Sequence, residues 1–471
     1  MSRKLLLIFL LALFARALFF SVAFSQTGGA LQNAFPAFDG YRDITQSLLS
    51  GNGFSRSLSP PFVPDSVRTP LYPLFIAGLI WFFKSYYAVL IAQIVLGGII
   101  PLIAYRIAVQ ILADTRIATL IAFLLALEPF SAGLSSTIQV ETFFAALFLA
   151  GLTLFLEYWK SQRWRTLAYT TGFFALATLA RPTIQFLPLL LILAVFFLAK
   201  GDNGRATRHS LVVAAIFLLI LAPWSIRNFV RFGNPALSVQ YASVPYGYLV
   251  PSALALEKNI GFLEAMKQFY DGEGKIESVE EITLANAPFY KERATKILKK
   301  HPVGLIKSIG VTFLTFFTHD GYMDVLYRLG MPPSVRLERP AFTLLLESPQ
   351  KAWNFVRPLL ASPALFAILG RIAWVLITLF FVAGAIRYLR VPEQRAKGIF
   401  ILLIILYFAV TTIAVGLSVN ARFRFPVNAL ILTFAVYGAS TIFKRIKFGE
   451  SVIPSCLRRQ VKAGIQKKIE T

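Results

Sequence analysis

The chain has 471 residues, 56% of them hydrophobic and only 15% charged, with a mean hydropathy of +0.66. A soluble chain of this length would divide into domains and carry more charge, whereas several runs here reach the roughly 20 apolar residues that cross a bilayer. The fold class expected is therefore an all-α polytopic membrane protein. The net charge of +24 collects in short loops, where basic residues anchor the cytoplasmic face, and this argues against nucleic acid as a partner. A single cysteine, Cys456, leaves no intrachain disulfide and no cysteine-based metal cluster.

Arg3 and Lys4 precede an apolar run over residues 5–24. No small-residue cleavage site follows, so this run is expected to be a retained first helix with its N-terminus inside. Arg16 within it reads equally as a snorkelling side chain or as a contact to a lipid phosphate. A polar external loop, 25–70, comes next, and the stretch 35–83 holds three acids and three arginines. Residues 71–83 cover about 20 Å at ~1.5 Å per residue, short of the ~30 Å hydrocarbon core. They are expected to lie at the interface or half-inserted on the external side.

Crossings are predicted over 87–112, 117–135, 141–158, 166–180, 184–199 and 210–224, which makes seven with the first helix. Basic clusters at Arg106 and Arg116, at Lys160, Arg163 and Arg165, and at Lys200, Arg205 and Arg208 then all fall on the cytoplasmic side. Residues 228–362 are more polar and are expected to form an external domain on the membrane surface. An amphipathic segment there, 302–317, is flanked by Lys299-Lys300-His301 and His319-Asp320. Three more crossings, 363–386, 398–417 and 425–443, and a basic cytoplasmic tail, 444–471, complete ten crossings. No internal repeat marks a secondary transporter.

The external junctions supply Asp39, Asp43, Asp65 and Arg68, then Glu141, Arg181, Arg227, Arg422 and Arg424. Singly, each could merely end its helix at the interface. Together, with proline near arginine at four of the junctions, they suggest a site. The planar guanidinium fork suits a phosphate or pyrophosphate, and a carboxylate beside it can take a proton from an attacking nucleophile. An anionic lipid head group, an acceptor and a base would make a transferase. A metal is possible but not expected: the loop has no D-x-D pair, and arginine can replace a cation at a monophosphate. His319-Asp320 could bind a metal or the acceptor, though a structural or surface role is the expected one. A lipid-linked glycan flippase or transporter, and a glycan polymerase or ligase, would also need external arginines.

The fragments D-G-Y, L-L-S-G-N-G-F-S and R-T-P-L-Y-P-L-F-I-A resemble the first external loop of the GT-C membrane glycosyltransferases. They are most similar to the branch that holds the protein O-mannosyltransferases and the lipid A aminoarabinose transferase. L-E-P-F with Q-V-E-T-F-F, A-R-P-T and A-P-W-S-I-R-N-F-V-R-F-G-N-P extend the likeness over about the first 235 residues.

The resemblance implies a seven-helix module, 1–227, with a large external loop after it. It also implies transfer of a sugar from a polyprenyl-phosphate donor to a protein, lipid or glycan acceptor, with inversion and no required cofactor. The enzyme would sit in the plasma (inner) membrane with its site facing outward. Asp39 then stands as the general base and Arg68 as a phosphate ligand. Glu141 is a second acid at an external helix start, and Arg227, a further phosphate ligand, follows the P-W motif. Arg181, Arg422 and Arg424 are expected as further phosphate ligands from their place at the external junctions alone. Tyr41 and Tyr72 fall within the same motifs and are expected against the substrate. Relatives often place the acid about four residues before the tyrosine, where this chain has Ala37, which keeps Asp43 as a competitor of Asp39.

Overall fold

The structure is a computed structural model that describes residues 2–26, 28, 39–274, 281–331 and 348–448. Ala37, the tail from 449 onward and Cys456 lie outside them. Among the described residues eight helices are long and apolar enough to cross a membrane, and nine if a bent pair counts as one span. The expected all-α polytopic architecture is the one observed.

The first half of the chain runs through α1 (Arg3–Gln26), α2 (Tyr41–Leu49), α3 (Leu71–Phe83), α4 (Tyr87–Leu112) and α5 (Thr115–Leu127). Then come α6 (Pro129–Ser135), α7 (Val140–Ser161), α8 (Trp164–Ala180), α9 (Leu187–Ala199) and α10 (Asn203–Phe232). Two expected crossings differ. α8 has 17 residues, about 26 Å of helix at ~1.5 Å per residue, roughly one turn short of the hydrocarbon core. The run 117–135 is not one helix but α5 and α6, bent by 59°. Pro129 drives the preceding residue out of the helical region. Glu128 accordingly sits at φ −63°, ψ 116° and caps α6 through its carboxylate, which accepts from the N–H groups of Phe130 and Ser131.

Arg16 accounts for the other side of that break. Its fully buried guanidinium donates to the carbonyls of Ala12 (3.0 Å) and Ala126 (3.1 Å). It also donates to the hydroxyls of Ser131 (2.9 Å) and Ser135 (3.3 Å). Gly97 makes the room: a Cβ there would stand 2.6 Å from Arg16 Nε and 2.2 Å from Ser135 Oγ. Arg16 neither snorkels nor meets lipid. It satisfies a carbonyl at the C-terminal end of α5, which the broken ladder leaves without its own partner.

Helix ends segregate into two groups. At one end, Tyr158 of α7 bonds His209 of α10 (2.8 Å), Tyr388 donates to the Ile111 carbonyl of α4 (3.0 Å), and Lys397 donates to that of Gln110 (3.2 Å). The ends of α5, α8 and α10 and the start of α7 lie at the other, together with α3, whose Tyr72 bonds Gln93 near the start of α4. This is the alternation that the basic loops imply. Leu189, Leu193 and Phe197 on α9 and Leu211, Leu218 and Leu219 on α10 stay exposed, as side chains facing lipid do.

The region expected as a separate surface domain is split. Helices α11 (Gln240–Val244), α12 (Val250–Lys258), α13 (Phe262–Phe269) and α14 (Ala287–Lys300) share their own core around Tyr246, Val250, Phe269 and Leu284. α15 (Pro302–Thr318) starts against α12, with the Gly304 N–H donating to Glu257 (3.0 Å), and then sends Phe316 into the core of the bundle, as α16 (Tyr322–Arg328) does Val325.

Candidate active site

The site is built on two turns of the first loop. Asp65 Oδ1 accepts from the N–H groups of Val67 (2.9 Å) and Arg68 (2.7 Å), and Oδ2 pairs with Arg56 Nε at 2.6 Å. This turn aims Arg68 back across the loop. Arg68 Nε donates to the Asp39 carbonyl (2.8 Å) and Nη2 to Asp39 Oδ1 (3.1 Å). Between Asp39 and Tyr41 the backbone must reverse at once, and Gly40 does so at φ +65°. A Cβ at that position would also sit 2.8 Å from Arg56 Nε. D-G-Y is therefore a carboxylate, a left-handed pivot and a ring, and the Tyr41 ring lies 4.8 Å beneath the Arg68 guanidinium.

The other Asp39 oxygen, Oδ2, accepts from Gln139 Nε2 at 3.2 Å. Gln139 in turn accepts from Arg328 Nη2 through Oε1 at 3.4 Å. A carboxylate can only accept and a guanidinium can only donate, so the amide between them has one orientation. Two residues on, Glu141 in the first turn of α7 meets Arg181 Nη1 at 3.4 Å. Arg181 ends α8 in an extended conformation, stacked 5.3 Å from the Phe423 ring. Arg422, also over Phe423 at 5.1 Å, holds a buried Nε–H that has no partner among the described residues. Electrostatically, Arg181 is coupled to Glu141, Arg422, Tyr41 and Arg68, and Arg328 to Asp324, Glu141, Asp39 and Arg422. The group is not sealed: the side chains of Arg68 and Arg181 each keep 17% exposure and that of Asp39 10%, which leaves them within reach of a ligand.

Burial pushes the Tyr41 phenol up to about 12, against the pull of Arg68, so it serves as a neutral group at physiological pH. Burial likewise holds the Asp324 carboxyl above its ordinary range, opposed by Arg328 and Arg422.

Asp39, Arg68, Glu141, Arg181, Arg422 and Tyr41 thus come together as expected sites, and four others do not join them in that role. Asp43, partly exposed in the first turn of α2, has its electrostatic neighbour in Tyr86, not in the Asp39 group. Tyr72 is fully buried and packs edge-on behind Tyr41 at 4.8 Å, so it supports the ring without reaching a ligand. Arg227 donates to the carbonyl of Asp65 (2.9 Å) and to Asn228 Oδ1 (2.8 Å), on the far side of the loop. Arg424 is fully buried. It donates to the carbonyls of Phe316 (3.0 Å), Phe317 (2.6 Å) and His319 (2.7 Å), and it stacks 3.4 Å from the Trp374 ring. Its work is to close the C-terminal end of α15.

Gln139, Arg328 and Asp324 are the members that sequence reasoning missed. Gln139 opens the Q-V-E-T-F-F fragment, yet an amide carries no titratable signal. Arg328 and Asp324 share α16, a short Y-M-D-V-L-Y-R helix whose Asp and Arg are spaced for one face. Asp320 accepts from Tyr322 N (2.7 Å) and Arg371 Nε (2.8 Å), a local role. Among the described residues no three His, Cys, Asp or Glu side chains converge as a metal site.

Residues 67–226 match the family model described as dolichyl-phosphate-mannose-protein mannosyltransferase. That stretch includes Arg68, Gln139, Glu141 and Arg181 and leaves out Asp39, Arg328 and Arg422. No curated protein matches the chain at significance. Among solved structures, the crystal structure of ArnT from Cupriavidus metallidurans bound to undecaprenyl phosphate is similar, at 14% identity and a TM-score of 0.35. The similarity covers 90% of this chain and 77% of that one.

Proposed function

We propose that the chain is a membrane glycosyltransferase that moves a sugar from a polyprenyl-phosphate donor to a hydroxyl or amine of a protein, lipid or glycan acceptor. One arrangement carries the reading: a carboxylate, Asp39, held at both oxygens, in a group of arginines of which Arg422 has a buried N–H without a partner among the described residues. An anionic ligand would complete that donor. Three cations, Arg181, Arg328 and Arg422, stand beyond the Asp39–Arg68 pair and supply more positive charge than Glu141 and Asp324 balance. Such planar forks bind phosphate oxygens bidentately, which suits the phosphodiester of the donor and the phosphate monoester it leaves behind.

In this reading the acceptor atom attacks the anomeric carbon from the face opposite the phosphate. The bond from that carbon to the phosphate oxygen breaks, polyprenyl phosphate leaves, and the acceptor's proton passes to Asp39 as the new bond matures. The arginines stabilise the charge that grows on the leaving phosphate. Arg68 and Gln139 fix the direction of the carboxylate. No step calls for a cofactor.

Transport of a lipid-linked glycan fits less well. A translocation path would present cations along the spans, whereas the buried Arg16 and Arg424 are occupied by carbonyls and hydroxyls. The outward orientation is part of the proposal. A cysteine at Asp202 and another at Lys296, in a Cys456-free background, should be labelled from opposite sides of the membrane. The reaction itself is tested with purified protein and a set of synthetic polyprenyl-phosphate sugars, following release of polyprenyl phosphate. Release that depends on Asp39 is expected; no release from any donor, with folded protein, removes the transferase reading.

A further inference from the structure

We infer that a second site, separate from the Asp39 group, binds a membrane lipid with a phosphate-ester head group. It is a cavity of about 570 Å³ between the first loop and α10, within the ~300–1,000 Å³ range of ligand pockets. Ile220, Pro223, Trp224, Arg227 and Arg231 line it. Their spacing of three, four, seven and eleven residues from Ile220 places them in one stripe of α10. Along about 16 Å of helix that stripe passes from wholly apolar to cationic, and the cationic part lies at the end of α10 that joins the first loop. Phe62, Leu74 and Leu179 also line it, so apolar side chains from other elements complete the wall of its apolar part. This gradient is the shape of an amphiphile: a chain toward the middle of the membrane and an anion at its surface.

The charge is unbalanced in the same direction. Among the described residues no Asp or Glu lines the cavity. The carboxylate of Asp65 is turned to Arg56 and to the N–H groups of Val67 and Arg68, and only its carbonyl meets Arg227. Arg227 is held rigid by that bond and by the Trp224 ring, 4.6 Å away. Arg231, one turn further on, is exposed. An interfacial arginine could simply favour the C-terminal end of its helix, but that role would not need an apolar cavity beside it. Exposed Leu219, Ile226 and Val230 on the same helix give the cavity a lipid-facing flank, so a ligand can enter sideways from the bilayer. Phe54 faces this cavity while Arg68 faces Asp39, and the loop between them is the wall that divides the two sites.

The test is photolabelling of the full-length protein in detergent with a long-chain alkyl phosphate carrying a diazirine in its chain, followed by peptide mapping. Label is expected on α10 between 218 and 232 and on the loop between 48 and 64. It should fall about tenfold in Arg231→Ala, the size of one lost charge-assisted contact. Arg231→Lys should recover much of it, and Ile220→Trp, which fills the apolar end, should abolish it. Undecorated alkyl phosphate should compete and inorganic phosphate should not. Equal labelling by the corresponding alcohol would reduce the cavity to an apolar crevice, and displacement by inorganic phosphate alone would make it a free-anion site. Either result, or unchanged labelling in both Arg231→Ala and Ile220→Trp, overturns the inference. The readout needs no turnover, so it stands or falls apart from the transferase proposal. Arg68→Ala, in the other site, should leave the labelling unchanged.

Discussion

Arg422 and Arg424 lie two residues apart in one N-A-R-F-R-F-P segment, and the structure gives them opposite work. Arg424 is sealed from solvent with three backbone carbonyls on its guanidinium. Arg422 lies beside Arg181 and Arg328 of the Asp39 group, with a buried N–H that has no partner among the described residues. Arg16 and Arg68 repeat the contrast: the first closes the end of a broken helix, the second braces a carboxylate near solvent. A buried arginine in a membrane bundle can thus serve the backbone or serve a ligand. What separates the two is how much of the fork the backbone takes: three carbonyls hold Arg424, whereas Arg68 gives one donor to a carbonyl and another to a carboxylate.

The largest expected effect tests the backbone side of that contrast. Arg424→Ala leaves the carbonyls of Phe316, Phe317 and His319 without their donor. At ~1–3 kcal/mol for each unsatisfied buried group, the loss should be at least about 3 kcal/mol, read as a large drop in thermal midpoint in detergent. Lysine should not restore it, because one ammonium lacks the planar fork that reaches three carbonyls. Arg422→Ala should stay within ~1 kcal/mol of the parent, because its buried Nε–H has no hydrogen bond among the described residues to lose. Equal destabilisation by both would erase the distinction.

On the ligand side, Asp39→Asn keeps the shape and one of the two accepted bonds, to Arg68 or to Gln139, but cannot take a proton. Turnover should fall by ~100-fold or more with donor affinity nearly unchanged, while Asp43→Asn should change turnover less than about threefold. The geometry favours Asp39 because Arg68 and Gln139 hold it, whereas Asp43 lies toward Tyr86. A silent Asp39→Asn beside an inactive Asp43→Asn would transfer the role. A smaller effect follows for the cations. Arg422→Ala and Arg328→Ala should each weaken donor binding about tenfold, one charge-assisted contact apiece, with melting unchanged for Arg422.

Much of this was legible in the sequence, for physical reasons. Hydropathy gives spans because lipid tolerates no open backbone, and basic loops give their alternation. D-G-Y and R-T-P marked Asp39 and Arg68 because a reversal at Gly40 and a proline-led helix leave short, polar signatures. The break at Glu128-Pro129 was written as plainly in the pre-proline rule, yet the apolar run through it masked it. The assignments of Arg227 and Arg424 went elsewhere because residue type and depth say nothing of which carbonyls a guanidinium will meet. Arg328 was hidden for a different reason. Its partner Gln139 lies 189 residues away, and no local pattern carries a contact of that range.

The smallest expected effect concerns the loop that Arg424 closes. His319 follows α15, and its Nδ1 accepts from the N–H of Gly321 at 3.0 Å. Burial, with Arg371 beside it and only Asp320 opposing, pulls its pKa down to about 3. In the unfolded chain the imidazole would titrate near 6.5, so between those values the unfolded state binds the extra proton. Stability from this residue is therefore present above about pH 6.5 and is lost as pH falls toward 3. One unit below the unfolded value, near pH 5.5, the loss should be about 1 kcal/mol, since a unit of pKa difference corresponds to ~1.4 kcal/mol. His319→Asn keeps an acceptor for Gly321 and removes the titration. Thermal midpoints of the two proteins measured from pH 7.5 to 5.5 should converge, with the parent falling further than the variant. Parallel curves would mean that His319 stays accessible to protons in the folded chain, and that Arg424 closes a looser corner than its three carbonyl bonds imply.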